Sequence, residues 1–227
     1  MITFDLAQDS VRDLNSRLHQ LPRDTNERLW RIVNPRGAHS VAAGLTQPVE
    51  IEIDGHVGYY CGGMNQAATI TVNGHCGTGI GENMMSGVIR VTGNASQSAG
   101  ASGRGGLLVI EGDASARCGI SMKGIDIVVG GSIGHMSCFM GQAGSLVVRG
   151  DADHDLGDSL YEAEIFVAGR VASLGADCVE KEMTAAHAAH VAALLESAAI
   201  AADAARFRRY GSARRLYNFH IDHAGQY

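Results

Sequence analysis

The sequence predicts an all-β core: a parallel β-helix, built as a single-stranded solenoid of about seven 19-residue coils, with helices at both ends. The first observation is a glycine that recurs every 19 residues, at Gly55, Gly74, Gly93, Gly112, Gly131, Gly150 and Gly169. The second is an aliphatic residue four positions before each glycine and a β-branched residue two positions before it, as at Ile51 and Ile53. The third is the length of the unit, because a βαβ crossover needs about 30 residues. A short repeat of this kind is typical of a solenoid.

Each unit is predicted to be one strand followed by a glycine turn. Apolar and polar residues alternate through residues 68–74, which is typical of a strand with one buried face. The glycine that follows is expected to adopt a positive φ angle, so that the chain turns at the same place in every coil. Stacking of the coils then brings the aliphatic positions into ladders that form the core.

Charge is distributed unevenly along the 227 residues. Residues 206–227 carry five arginines and one acidic residue, which leaves 13 basic and 23 acidic residues in the remainder. An acidic body argues against nucleic-acid binding, and the basic tail is expected to contact an acidic protein face. The sequence shows neither a signal-peptide pattern nor a run of 18 apolar residues, so a cytoplasmic protein without a membrane partner is predicted.

The cysteines are predicted to be reduced and buried. There are five of them, with no CxxC pair: Cys61, Cys76, Cys118, Cys138 and Cys178. An odd number without paired spacing argues against a disulfide framework and against a zinc ribbon. These residues are therefore interpreted as small hydrophobic side chains of the coil interior.

Three segments are predicted along the chain. Residues 1–48 form a lead and cap, with a helix that begins after Ser10 and with Trp30 covering the open first coil. Residues 49–180 form the β-helix. Residues 181–227 form a helix that begins after Thr184 and continues to about Arg206, followed by a basic and aromatic tail.

The tail is predicted to dock onto another protein chain. Arginines alternate there with aromatic residues, and these residue types anchor many protein interfaces. The predicted docking residues are Arg208, Arg209, Tyr210, Arg214, Arg215, Tyr217 and Phe219.

Two patterns imitate ligand-binding motifs. Gly77-x-Gly79-x-Gly81 lacks the spacing of a dinucleotide fingerprint and precedes another strand, so it is interpreted as a tight turn of the coil. Residues 151–162 place acidic side chains as a calcium loop does, but the glycine comes one position late and no helices flank the segment. A solvated loop is favoured there, and a calcium-binding β-helix stays open as a weaker hypothesis.

The histidines do not form a recognisable site in the sequence. His187 and His190 lie three positions apart on the predicted helix, without a further ligand nearby. Four others are scattered around the coil turns and are interpreted as turn residues: His56, His75, His135 and His154. No catalytic, cofactor-binding or metal-binding residue is assigned to this chain.

The glycine-rich turns resemble those of the GXGXG domain over about residues 50–180. The residues that carry the resemblance are Gly77, Gly79 and Gly81, and then Gly100, Gly103, Gly105 and Gly106. This domain ends the large chain of glutamate synthase and also occurs in one of the component chains of formylmethanofuran dehydrogenase. The resemblance implies a right-handed β-helix that is not catalytic and that braces an amidotransferase domain against an FMN-binding domain.

Three further stretches, residues 158–169, 174–178 and 209–214, are similar to the small subunit of N-methylglutamate synthases. These enzymes make N-methylglutamate from methylamine and glutamate and release ammonia. The resemblance implies a structural subunit of a heteromeric complex, with a glutamine amidotransferase-like partner and an FMN-binding, glutamate-synthase-like partner. FMN, and an iron–sulfur cluster as a further candidate, would belong to the partner. The alternative is the GXGXG-bearing chain of a formylmethanofuran dehydrogenase or of a formyltransferase/hydrolase complex.

Overall fold

Nine parallel strands stack in chain order along one sheet in the computed structural model, which describes residues 1–215. They are β1 (Ile2–Asp5), β2 (Leu29–Val33), β3 (Glu50–Asp54), β4 (Thr69–Asn73), β5 (Val88–Val91), β6 (Leu107–Ile110), β7 (Lys123–Val129), β8 (Ala143–Val148) and β9 (Glu164–Val167). The strands from β3 to β9 pair with a step of 19 residues, so that Ile51 pairs with Ile70 and Ile70 with Ile89. The predicted β-helix of about seven coils is confirmed.

The inward side chains of these strands form the main core. The aliphatic residues four and two positions before the repeat glycines are all buried, from Ile51 and Ile53 at one end to Ile165 and Val167 at the other. A second stack runs two residues after each repeat glycine, where Val57, Cys76, Ala95, Ala114, Ile133, Ala152 and Val171 form successive parallel bridges. Each coil therefore contributes the same inward positions to a continuous apolar interior.

The repeat glycines lie at turns, but the positive φ angle predicted for them is wrong for all except one. Of the seven, only Gly55 has a positive φ angle, of 132°. The others are required because adjacent coils approach closely at this turn: a Cβ atom on Gly74 would lie 2.8 Å from the carbonyl oxygen of Gly55. Backbone hydrogen bonds close the same gap, since the N–H of Gly93 donates to the carbonyl of Gly74 at 3.0 Å.

Positive φ angles occur later in the six coils that begin at Gly55 to Gly150, at three alternating positions. In the second coil these are Gly79 (φ 72°), Gly81 (φ 64°) and Asn83 (φ 57°). Gly77 instead allows close approach, because a Cβ there would lie 2.6 Å from the carbonyl carbon of Gly58. The interpretation of Gly77-x-Gly79-x-Gly81 as a tight turn of the coil is therefore confirmed, and β5 follows it rather than a helix.

The amino-terminal end is closed by α1 (Val11–His19). Ser10 caps this helix as predicted, with its side chain accepting a hydrogen bond from the N–H of Asp13, and the helix buries Leu14 and Leu18. The parallel ladder already includes β1 and β2, so it begins within the range predicted as the lead. Trp30 lies inside this ladder, paired with Ile51 and 1% exposed, rather than covering the coil from outside.

The carboxy-terminal part begins with β10 (Cys178–Lys181) and α2 (Ala185–Ser197), and Thr184 caps α2 as predicted. The prediction that this helix continues to about Arg206 is wrong. The chain leaves the helix after Ala198, whose carbonyl accepts a hydrogen bond from Arg90, and Ala199 has a φ of 50°. Residues 199–207, here called the strap, then cross the sheet and include a 3-10 turn at Ala204–Arg206.

A second apolar cluster lies outside the coil, beneath α2 and the strap. It consists of Val109, Val128, Val147 and Phe166 from the outer face of β6–β9, together with Val191, Leu195, Ala198 and Phe207. The sheet is therefore buried on both faces over these four strands. Within residues 1–215, no helix is long and apolar enough to cross a membrane.

Candidate partner-binding surface

The final described strand, β11 (Arg208–Ser212), belongs to this chain's own sheet. It runs antiparallel between β9 and β10, and Tyr210 pairs with Ile165 of β9. Tyr210 is 2% exposed and packs in the main core, and burial raises the pKa of its phenol. The prediction that Tyr210 anchors another protein chain is therefore wrong, because the free edge of the last coil takes this segment as a strand.

Arg208 and Arg209 are also held by internal contacts. Arg209 places two guanidinium nitrogens on one carboxylate oxygen of Glu164, at 2.7 and 2.6 Å. Arg208 donates a hydrogen bond to the carbonyl of Gly169 at 2.8 Å. Arg208 and Arg209 therefore contact groups of their own chain.

Arg214 and Arg215 are exposed at the end of the described chain. The guanidinium of Arg214 contacts Glu162 at 2.8 Å, and the backbone N–H of Arg215 donates to Asp177 at 2.9 Å. Their docking role stays a prediction. Tyr217 and Phe219 lie outside the described residues.

A ladder of side-chain hydrogen bonds runs along the glycine turns. The residue after each of the first six repeat glycines accepts a hydrogen bond from the backbone N–H of its counterpart in the next coil, 19 residues later. The accepting side chains are those of His56, His75, Asn94, Asp113, Ser132 and Asp151. The distances lie between 2.7 and 3.0 Å.

This ladder confirms that His56 and His75 are turn residues. Their rings also stack on each other, with centroids 4.8 Å apart. The sequence reasoning missed the ladder, although a signal exists: a polar side chain follows the first six repeat glycines, and each is able to accept a hydrogen bond.

The acidic loop after β8 is held by hydrogen bonds within the loop and to the next coil. Asp151 accepts from the N–H of Arg170, Asp153 from the N–H of His154, and Asp158 from the hydroxyl of Ser159. The described part of the chain contains no group of three or more His, Cys, Asp or Glu side chains placed to share a metal ion.

His187 and His190 connect α2 to the sheet. His187 lies 2.8 Å from the Thr184 hydroxyl and 3.6 Å from Glu164, and His190 lies 2.9 Å from the Ser145 hydroxyl. A serine–histidine contact is one half of a nucleophilic site, which also needs a group that orients the histidine. Glu164 is instead engaged by His187 and Arg209, so these contacts fasten the helix rather than activate Ser145.

All five cysteines are buried, as predicted. Burial raises the pKa of Cys76 and of Cys118 to about 12. A thiol with such a pKa is almost entirely protonated near neutral pH and is a poor nucleophile and a poor metal ligand. The cysteines therefore contribute apolar volume to the interior.

The fold and its side-chain contacts define a class: a parallel β-helix protein whose histidine, aspartate and arginine side chains largely hold its own coils together. No protein-family model matches the chain. Over 228 aligned residues it is 57% identical to Protein GlxC of Rhizobium meliloti (strain 1021), and the alignment covers 100% of both chains. The chain belongs to the family of Protein GlxC.

Proposed function

We propose that this chain is a non-catalytic structural subunit of a glutamate-synthase-like heteromeric complex, specifically an N-methylglutamate synthase. In that complex it bridges an amidotransferase-like subunit and an FMN-binding subunit. The observation that carries the proposal is the unbroken parallel ladder from β1 to β9, in which each coil bonds to the next. Such a ladder makes a stiff spacer.

The dimensions of the ladder suit a bridging role. Nine strands at a spacing of about 4.8 Å span about 38 Å, which is comparable to the diameter of a small domain. Because every coil is bonded at its strand and at its glycine turn, the distance between the two ends is fixed. A rigid body of this length holds two neighbouring proteins at a constant separation.

The outside of the coil offers chemically different surfaces to two partners. The outer face of β3 carries three acidic residues, Glu50, Glu52 and Asp54. At the opposite end of the ladder, the exposed Arg214 and Arg215 add positive charge. Surface patches of different charge favour a defined orientation between two different neighbours.

Flavin and substrate sites belong to the partner chains in this proposal. FMN, with an iron–sulfur cluster as a further candidate, is carried by the glutamate-synthase-like subunit. This chain contributes the relative position of the two partners. The comparison with known proteins gives no support to the formylmethanofuran dehydrogenase alternative, and we do not propose it.

The first experiment is affinity purification of the tagged chain from its native cell, with mass spectrometry of the partners and a visible absorption spectrum. We expect an amidotransferase-like and a glutamate-synthase-like chain together with a flavin band, and methylamine-dependent formation of N-methylglutamate. An active, flavin-loaded complex formed in cells that lack this chain would contradict the proposal.

A charge-reversal variant tests the exposed docking arginines. We expect the double variant Arg214→Glu/Arg215→Glu to recover at least about tenfold less partner protein, because like charges would face the acidic surface that the arginines are proposed to meet. The matched control is Arg104→Glu/Arg117→Glu, which makes the same charge change at exposed arginines of the third and fourth coils. Equal recovery of partners with both variants would place the docking surface elsewhere on the chain.

A further inference from the structure

A groove runs between the strap and the edge of the sheet where β8 and β9 end. It contains a cavity of about 340 Å³ and a second of about 270 Å³, and the two share Arg149 and Ala201 in their linings. Cavities of about 300 Å³ and above are of the size that takes small molecules. The sequence-based function makes no use of this groove, here called the strap groove.

Two arginines in the strap groove have donors to spare. Arg149 donates through Nε to the carbonyl of Gly130 at 2.8 Å, and its other guanidinium nitrogens make no hydrogen bond to the described residues. The guanidinium of Arg206 makes no hydrogen bond or ion pair within residues 1–215. Arg90, at the far end of the groove, by contrast donates through two guanidinium nitrogens, to Glu111 and to the carbonyl of Ala198.

The larger cavity carries a net positive charge. Its ionisable side chains are Arg149, Arg206 and Asp203. Asp203 is already engaged, since its carboxylate accepts a hydrogen bond from the N–H of Ala205 at 3.0 Å and so starts the 3-10 turn. The ionisable side chains of this cavity therefore sum to a formal charge of +1, in a chain whose formal net charge is −6.

The walls of the groove are anchored to the rest of the fold, and most of their side chains are small. The N–H of Arg149 donates to Val129 in the coil ladder, and Arg206 is followed by Phe207, which is 3% exposed within the outer apolar cluster. Ala168, Gly169, Ala201 and Ala202 complete the lining. These small residues leave the space between the two arginines open.

We propose that the strap groove binds a small anion, whose carboxylate or phosphate group is held between the guanidinium groups of Arg149 and Arg206. A guanidinium presents parallel N–H donors that match both kinds of group, and it stays charged at any physiological pH. Arg149 and Arg206 are both exposed to solvent, so a bound anion would replace water on the N–H groups that make no hydrogen bond to the protein. This proposal stands independently of the function proposed above.

The test is a titration of the full chain with glutarate and, separately, with inorganic phosphate, by isothermal titration calorimetry at low ionic strength. We expect saturable binding of at least one probe and a loss of affinity of about tenfold or more in Arg149→Gln and in Arg206→Gln. The control Arg117→Gln, at an exposed arginine of the coil turns, should bind within about twofold of the wild type. The preferred probe distinguishes a carboxylate ligand from a phosphate ligand.

A second variant removes space without removing charge. Ala201→Leu should fill the shared lining of the two cavities and abolish binding, whereas Ala189→Leu, on the exposed side of α2, should not. Thermal unfolding of each variant checks that the fold is intact. Absence of saturable binding of both probes overturns the proposal, and so does wild-type affinity in the arginine variants or in Ala201→Leu.

Discussion

The two halves of the sheet have the same apolar inner face, but the outer face is polar in one half and apolar in the other. One outward residue from each strand forms a column across β2–β9: Arg31, Glu52, Thr71, Arg90, Val109, Val128, Val147 and Phe166. The first four are polar and the last four are apolar. The change occurs between Arg90 and Val109. The apolar part packs beneath α2 and the strap, and Arg90 at the boundary donates a hydrogen bond to the carbonyl of Ala198.

This difference shows that the coil and its outer covering are specified separately. The inward residues Ile70 in the polar half and Leu146 in the apolar half are both 0% exposed. A coil therefore forms whether or not its outer face is covered, because the inner ladder and the backbone hydrogen bonds are the same in both halves. The outer column decides only where the helix packs.

The largest expected effect comes from truncating the largest side chain of the outer apolar column. We expect Phe166→Ala to lower the free energy of unfolding by about 3–5 kcal/mol, because Phe166 is fully buried between the sheet and α2. Chemical denaturation followed by circular dichroism measures the change. A proteolysis time course should also show earlier cleavage in the strap.

The matched variant in the polar half is Thr71→Ala, at the same position of the column. We expect it to change stability by less than about 0.5 kcal/mol, since this residue covers no apolar cluster. Similar losses in both variants would mean that the outer faces of the two halves contribute equally to stability.

The coil itself was predictable because its signal is repeated and local. Every unit places the same aliphatic residues and the same glycine at the same spacing, so one interpretation applies to seven coils. The outer helix position was missed although a signal exists. From β6 onward an apolar residue also fills the outward position between the two inward ones, as Val109 does in Leu107–Ile110, and such continuous apolar runs are typical of strands buried on both faces.

The place of the last strand could not be predicted from its residues. Arg208–Ser212 contains one large apolar side chain, Tyr210, and its arginines are the residue type found at interfaces. Whether such a segment pairs with its own sheet or with another chain depends on the free edge of β9, which lies about 40 residues earlier in the chain. The composition of the segment carries no information about this distant edge. A prediction from composition alone therefore assigns the tail to a partner chain.

The glycines show how one signal can have two physical causes. Gly74 avoids a clash between coils, whereas Gly81 provides a φ of 64°, and both recur with the same period. The two causes can be told apart only once the distance between neighbouring coils is known. For the acceptor ladder at the turns, the residue types differ from coil to coil, and their common role appears only once the coils are stacked.

An intermediate effect is expected at the turn that the two halves share. Gly74→Ala in the polar half and Gly150→Ala in the covered half should each lower stability by about 2 kcal/mol, because the new Cβ would lie 2.8 Å from Gly55 and 2.5 Å from Gly131, respectively, at the carbonyl oxygen. The two losses should agree within about 1 kcal/mol, as measured by thermal unfolding.

The control for this pair is Gly81→Ala, where the new Cβ meets only side-chain atoms, the nearest at 3.3 Å. We expect a loss of about 1 kcal/mol from the positive φ angle alone, and the chain already has a non-glycine residue, Cys138 (φ 59°), at the corresponding place. A loss at Gly150 far larger than at Gly74 would show that the outer covering also stabilises the turns.

A small effect is also expected on the uncovered outer face, at Asp54. Hydrogen bonds from Asn73 and from Arg31 lower the pKa of this carboxyl below its usual value of 3.8. Since the pKa is lower in the folded chain, the ionised form stabilises the fold above about pH 4, and this contribution disappears as the pH falls through the lowered value. Asp54→Asn should therefore lose less than about 1 kcal/mol at pH 7, because exposed ion pairs contribute little.

The pH dependence of that loss distinguishes it from a packing effect. We expect the difference between wild type and Asp54→Asn to be constant from about pH 7 to pH 5, to shrink below about pH 4, and to fall as salt is added. Glu50→Gln, at an exposed carboxylate on the same strand, serves as the control. A difference that grew on acidification would mean that Asp54 is not stabilised as an anion, and that the polar half of the sheet depends on something other than exposed electrostatic contacts.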